Sequence, residues 1–225
     1  SERFRESPVH LFDEKWSKVS GKKGGLVDAE EEYRYIERGK NMIARIVEHP
    51  GPIANLAVKI KEDLPHYWLS EAENLILCGK IDWLEYLPET ESVHIIDFKT
   101  SKKEEESESL QLPIYLLLVS NCQKRSVSKA SYWYLEYDDN LTAKTLPDIK
   151  EAESQIIKIG RQIKIARQLE KFDCPNGHNG CMYCTPHERV LRGEGELVGI
   201  SNTRQDIYIL PKKTDIIETE DSVIL

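Results

Sequence analysis

No run of apolar residues approaches the roughly 18 that a membrane helix requires, so no membrane partner or span is expected. No stretch reads as a signal peptide, and the expected location is the reducing interior of the cell, the cytoplasm. No internal repeat is visible, and only Glu104-Glu105-Glu106 approaches low complexity. Positive charge is not in excess: 31 Lys and Arg stand against 39 Asp and Glu, a formal net charge of -8. That balance disfavours a general nucleic-acid binder, because phosphate contacts need local positive charge. It leaves room for a basic groove, and for acids whose charge a bound metal offsets. Cysteine is scarce and odd in number, five in all, with three between positions 174 and 184. This argues against a disulfide framework and for metal binding in a reducing compartment. The start at Ser1 instead of methionine leaves a processed, a trimmed or a longer parent chain open.

The composition is that of a folded domain. Hydrophobic residues make up 40% and charged residues 31% of 225, enough to bury a core without disulfides. Residues 4–20 and 29–48 read as helices, the second capped by Asp28 and stopped by His49-Pro50-Gly51-Pro52. From 54 to 98 the period shortens to two, with Leu56, Val58 and Ile60 alternating, which predicts a series of antiparallel strands. Residues 101–109 form a charged loop. A helix is expected over 108–122, with Pro113 in its first turn. A strand is expected over 129–137 and a long helix over 147–171. Short strand-like runs close the chain at 206–210 and 222–225.

Two acids stand out. Asp82 ends Gly79-Lys80-Ile81-Asp82, and Asp97 follows the apolar run Val93-His94-Ile95-Ile96. On neighbouring strands their carboxylates project to one place and can hold a hard divalent cation, Mg²⁺ or Mn²⁺. Lys99, two residues after Asp97, shares its strand face. A lysine beside metal-holding carboxylates orients water or stabilises charge on a phosphate, the minimal equipment for phosphodiester hydrolysis. The alternative is an ordinary strand edge with a salt-bridged Asp and Lys.

Gly-Lys-Ile-Asp, then Ile-Ile-Asp-Phe-Lys-Thr at 95–100, then Gln111-x-x-x-Tyr115 resembles the RecB-like branch of the PD-(D/E)XK nuclease superfamily over roughly residues 30–190. The resemblance implies an α/β fold with a restriction-endonuclease-like core, a small mixed β-sheet flanked by helices. It implies residues 1–50 as N-terminal helices, 51–190 as a nuclease core ending in a Cys-rich loop, and 191–225 as a strand-like tail. By matching motif, Asp82, Asp97 and Lys99 are catalytic, with Gln111 and Tyr115 supporting the site. The family also carries an acid on the preceding strand, for which Glu62 is the candidate third metal ligand. It carries a histidine upstream too, and His10 is the one histidine of the first helix. The implied function is metal-dependent DNA hydrolysis, exonucleolytic, in DNA repair, recombination or a CRISPR context, with DNA and a helicase or other repair protein as partners. The alternative is a catalytically incomplete RecB-like domain that binds DNA or a helicase.

Cys174, Cys181 and Cys184 are spaced C-x6-C-x2-C. Such spacing suits a soft metal. Resemblance to the AddB and CRISPR-adaptation nucleases implies a [4Fe–4S] cluster there. The sequence departs from that subgroup in having no cysteine before Cys78 and none after the Cys-x-x-Cys pair. Zn²⁺ held with His187 or His178, and a metal-free thiol loop, are the other readings. Cys78 and Cys122 read as buried small apolar residues. Tyr132-Trp133-Tyr134 and Tyr137 read as core strand, or else as a stacking face for single-stranded DNA. Lys158, Arg161, Lys164 and Arg167 read as a solvated helix face, or else as the wall of a DNA groove.

Overall fold

The computed structural model describes residues 4–104, 109–174, 176–177, 180–201 and 203–211. The 222–225 run, most of the acidic loop at 105–108, and His178 lie outside the described residues. The chain divides into two compact units. One joins the residues up to Phe12 with Glu37–Lys171; the other joins Asp13–Ile36 with the residues from Phe172 on.

Two N-terminal helices, α1 (Pro8–Ser17) and α2 (Ala29–Glu48), begin the chain. Asp28 accepts the Glu30 N–H at 2.9 Å, satisfying one orphan donor at the start of α2. The larger unit then forms an antiparallel hairpin, β1 (His66–Ser70) and β2 (Leu75–Cys78). Next come β3 (Trp83–Leu87), β4 (Ser92–Lys99), α3 (Gln111–Cys122), β5 (Val127–Tyr134), β6 (Thr142–Lys144) and α4 (Ile149–Gln168). Strands β3 to β6 form one four-stranded sheet in that order. β3 and β4 pair antiparallel, β4 and β5 parallel, and β5 and β6 antiparallel. This is the mixed sheet of a restriction-endonuclease-like core. A parallel pair needs a crossover, and α3 provides it.

The apolar run Val93-His94-Ile95-Ile96 is continuous because β4 is buried on both faces. Val93 and Ile95 pack with Leu84, Leu112, Val119 and Ala130 under α3. Each of the Val, Leu and Ile side chains stabilises the fold by about 1.5–3 kcal/mol. On the other face Trp133 and Leu135 pack with Met42 of α2. The β1–β2 hairpin closes against α3 and α4 through Leu69, Leu117, Ala152 and Ile156. Pro113 lies in the first turn of α3, as expected. Asp148 caps α4, accepting from the N–H groups of Lys150 and Glu151 at 2.9 and 3.0 Å.

Some expectations shift. Residues 56–60 do not form a named strand; Leu56 and Val58 run beside β3, accepting from Tyr86 N–H and donating to the Leu84 carbonyl, both at 2.8 Å. Cys78 is exposed, because β2 turns Leu75 and Leu77 inward and Ile76 and Cys78 outward, and Cys122, the last residue of α3, is half-buried. Tyr132, Trp133 and Tyr134 are all buried, so this strand is core. Arg161 and Lys164 are committed to the hairpin turn: Arg161 forms a fork on the Glu73 carboxylate at 2.6 and 2.7 Å, and Lys164 donates to the Glu73 carbonyl at 2.7 Å. The second unit holds α5 (Cys184–Leu191) and a second antiparallel hairpin, β7 (Glu196–Ile200) with β8 (Asp206–Ile209). Of these, β8 matches the expected 206–210 run; α5 and β7 are additions.

Candidate active site

The strand register brings the two acids together. Trp83 pairs with Ile96 across the antiparallel β3–β4 ladder, so Asp82, in a bend just before β3, comes level with Asp97. Asp82 therefore precedes a strand where the sequence pattern placed it at the end of one. Its Oδ2 accepts the Phe98 N–H at 3.0 Å, which fixes the carboxylate at the end of β4. The glycine of Gly79-Lys80-Ile81-Asp82 has a steric reason: a Cβ there would stand 2.9 Å from Leu118 Cδ1 of α3. The chain passes that close to the helix on its way to Asp82.

Asp97 is only 3% exposed and is held from several sides. Its Oδ1 accepts from Gln111 Nε2 at 3.0 Å and from the Tyr115 hydroxyl at 3.2 Å. Gln111 Nε2 also donates to the Tyr115 hydroxyl at 3.1 Å, and Gln111 Oε1 accepts from Lys99 Nζ. Gln111 and Tyr115 are one helical turn apart, so both reach the strand end from one face of α3. Lys99 Nζ lies 2.9 Å from Asp97 Oδ2, yet that buried oxygen has no aligned hydrogen-bond partner. One carboxylate oxygen is thus held by Gln111 and Tyr115 and the other is ion-paired to Lys99.

Burial pushes the Asp97 carboxyl above its usual range; Lys99 pulls it back, and the neighbouring Asp82 carboxylate raises it further. Burial, assisted by the charges of Asp97 and Asp82, pushes Tyr115 up to about 12, so it stays a protonated donor. Two crowded carboxylates, whose mutual repulsion a bound cation would relieve, are a donor set that a hard divalent cation fits.

Glu62 lines a cavity of about 520 Å³ that also contains Asp82, Lys59 and Lys80. Its carboxylate pairs with His66 at 3.2 Å. Among the described residues no three acids gather within metal-binding reach of one another, so Glu62 is not drawn into the Asp82–Asp97 pair. His10 is exposed on α1.

A family model for the PD-(D/E)XK nuclease superfamily matches residues 4–189. The chain belongs to this superfamily. No curated protein and no solved structure matches it. Membership of this nuclease superfamily implies hydrolysis of phosphodiester bonds and binding of DNA. No helix among the described residues is long and apolar enough to cross a membrane.

The second unit carries a separate cluster. The Sγ atoms of Cys174, Cys181 and Cys184 lie within 4.8 Å of one another. The Cys184 N–H points at Cys181 Sγ at 3.4 Å. The N–H groups of Cys184 and Tyr183 hold the Cys181 thiol below its ordinary pKa, while hydrogen bonding with Cys181 and Cys174 pushes Cys184 up to about 11. Three crowded sulfurs, one of them accepting backbone N–H groups, are a soft-metal donor set. His187 does not join the three sulfurs in that cluster.

Sequence reasoning missed two groups. Glu85, His94 and Ser131 form a buried polar chain across β3, β4 and β5, with His94 Nδ1 2.8 Å from Glu85 Oε2 and Nε2 2.9 Å from Ser131 Oγ. His94 was hidden inside an apolar run. Lys144 was missed because β6, Thr142–Lys144, is too short for its alternation to register.

Proposed function

We propose that the chain is a Mg²⁺- or Mn²⁺-dependent deoxyribonuclease of exonucleolytic action, serving DNA repair, recombination or a CRISPR system. The observation that carries this is the Asp97 carboxylate, with one oxygen held by Gln111 and Tyr115 and the other ion-paired to Lys99 at 2.9 Å beside the Asp82 carboxylate. Asp82 and Asp97 would hold the cation, which supplies Lewis acidity toward water and the scissile phosphate. Lys99, 2.9 Å from Asp97, donates to the attacking water or to a phosphate oxygen as charge develops there. Gln111 sets the geometry by accepting from Lys99 and donating to Asp97. Tyr115 keeps the Asp97 oxygen turned into the site. Water adds at phosphorus, the P–O bond to the leaving strand end breaks, and that oxygen takes up a proton.

We further propose that Cys174, Cys181 and Cys184 hold a soft metal in the second unit, as Zn²⁺ or within a [4Fe–4S] cluster. Metal analysis and broad visible absorption distinguish the two.

The test is degradation of end-labelled linear and of circular DNA, single- and double-stranded, with Mg²⁺ or Mn²⁺. Asp97→Ala is expected to lower the rate at least about 100-fold, beyond the roughly 10- to 100-fold typical of losing an outer partner. Unchanged degradation by this variant would overturn the assignment. Cleavage of circles would overturn exonucleolytic action, and DNA binding without cleavage by the parent chain would favour the binding-module alternative.

A further inference from the structure

We infer that Lys144 is a phosphate-binding residue that grips the substrate strand one step away from the scissile bond; this rests on the nuclease reading above. Lys144 pairs with Ala130 in the β5–β6 ladder, and Thr142 with Tyr132. In the β4–β5 ladder Asp97 pairs with Tyr132 and Lys99 with Tyr134. Ladder partners share a face, and so do residues two apart on one strand. Asp97, Lys99, Tyr132, Tyr134 and Lys144 therefore project from one side of the sheet, with Lys144 on its edge strand.

The side chain turns toward the site. Lys144 Nζ lies 5.1 Å from the Tyr132 ring centroid and 5.9 Å from that of Tyr134. Lys99 Nζ lies 4.7 Å from the same Tyr132 ring. One buried ring is thus shared by two ammonium groups, which it holds within about 10 Å of each other. That is within the reach of neighbouring phosphates on one strand.

The two lysines differ in how they are neutralised. Lys99 is paired with Asp97 and bonded to Gln111. Among the described residues no carboxylate pairs with Lys144; its contacts are the faces of two tyrosines. Ring faces position an ammonium without cancelling its charge. In a chain of net charge -8, a half-buried cation left unneutralised beside an acidic centre is suited to a phosphate. A purely structural lysine would be served as well by its aliphatic stem alone, and this difference is what the experiment reads.

The test compares Lys144→Met, Lys144→Gln and Lys144→Arg with the parent chain, using a DNA oligonucleotide as substrate and, with chelator present, as ligand across a salt series. The expected result is a KM raised roughly 10-fold in the Met and Gln variants with kcat within about twofold, and recovery in the Arg variant. The salt dependence of binding should weaken by about 0.9 in log–log slope for duplex, or about 0.7 for single strands, one phosphate contact's worth. Unchanged KM and slope in folded variants, while the parent chain cleaves, would overturn the role of Lys144 alone. So would a fall in kcat without a change in KM. A parent chain that neither binds nor cleaves DNA would overturn the nuclease reading and this inference with it.

Discussion

The Asp97 carboxylate divides its two oxygens between two tasks, and each side chain around it serves one of them. Tyr115 and Gln111 hold Oδ1, so their loss leaves the carboxylate free to rotate away from Asp82 without removing it. Tyr115→Phe and Gln111→Ala are each expected to reduce DNA cleavage by roughly 10- to 100-fold, less than Asp97→Ala, with the folded state intact. Parallel rate measurements on the three variants check this ordering. His94 makes a separate prediction about stability. Burial holds its pKa below the ordinary 6.5, against an opposing pull from Glu85. The unfolded chain binds a proton more readily than the folded one. The stabilisation is therefore complete above about pH 6.5 and is lost as pH falls through the lower folded value. Urea unfolding at stepped pH should show stability declining on acidification over that window, and His94→Gln should flatten the decline.

At the scale of elements, α3 has three jobs. It is the crossover that makes β4 and β5 parallel, the lid over Val93 and Ile95, and the carrier of Gln111 and Tyr115. The approach of Gly79 to Leu118 couples these jobs to the loop that carries Asp82. Leu118 is fully buried, so its Cδ1, the one atom that an added methyl at 79 would meet within 4 Å, must shift within the core. Gly79→Ala is expected to cost about 1–3 kcal/mol through overpacking. It should also lower cleavage by moving Asp82 relative to Asp97. Denaturant midpoints together with initial rates test it; a variant as stable and as active as the parent would show that the close approach is not needed.

At the scale of the whole molecule, the two units carry two kinds of donor: the carboxylates of Asp82 and Asp97 in the sheet unit and the three clustered cysteine sulfurs in the second. If the loop holds zinc or iron as proposed, Cys184→Ser is expected to remove that metal and to lower the thermal midpoint, measured by elemental analysis and a melting curve. The motif residues were legible from the linear chain because each had a local signature. Asp97 interrupts an apolar strand, Lys99 follows at strand spacing, and Gln111 and Tyr115 sit one helical turn apart. The crowded cysteines were legible for the same reason. Glu62 has no such local signature, because where a loop side chain points depends on packing that no local period records; here its carboxylate meets His66. Lys144 and the Glu85–His94–Ser131 chain were hidden likewise, since strand pairing alone brings His94 and Ser131, 37 positions apart, side by side. The sequence by itself determined most of the elements, the superfamily and the spacing of Asp82, Asp97 and Lys99, all of which depend on local pattern. Only the tertiary structure decided how the two oxygens of Asp97 are partnered and that Lys144 comes to lie over the ring that Lys99 also meets. Those outcomes depend on register and burial, and the chain acquires both only when its strands align.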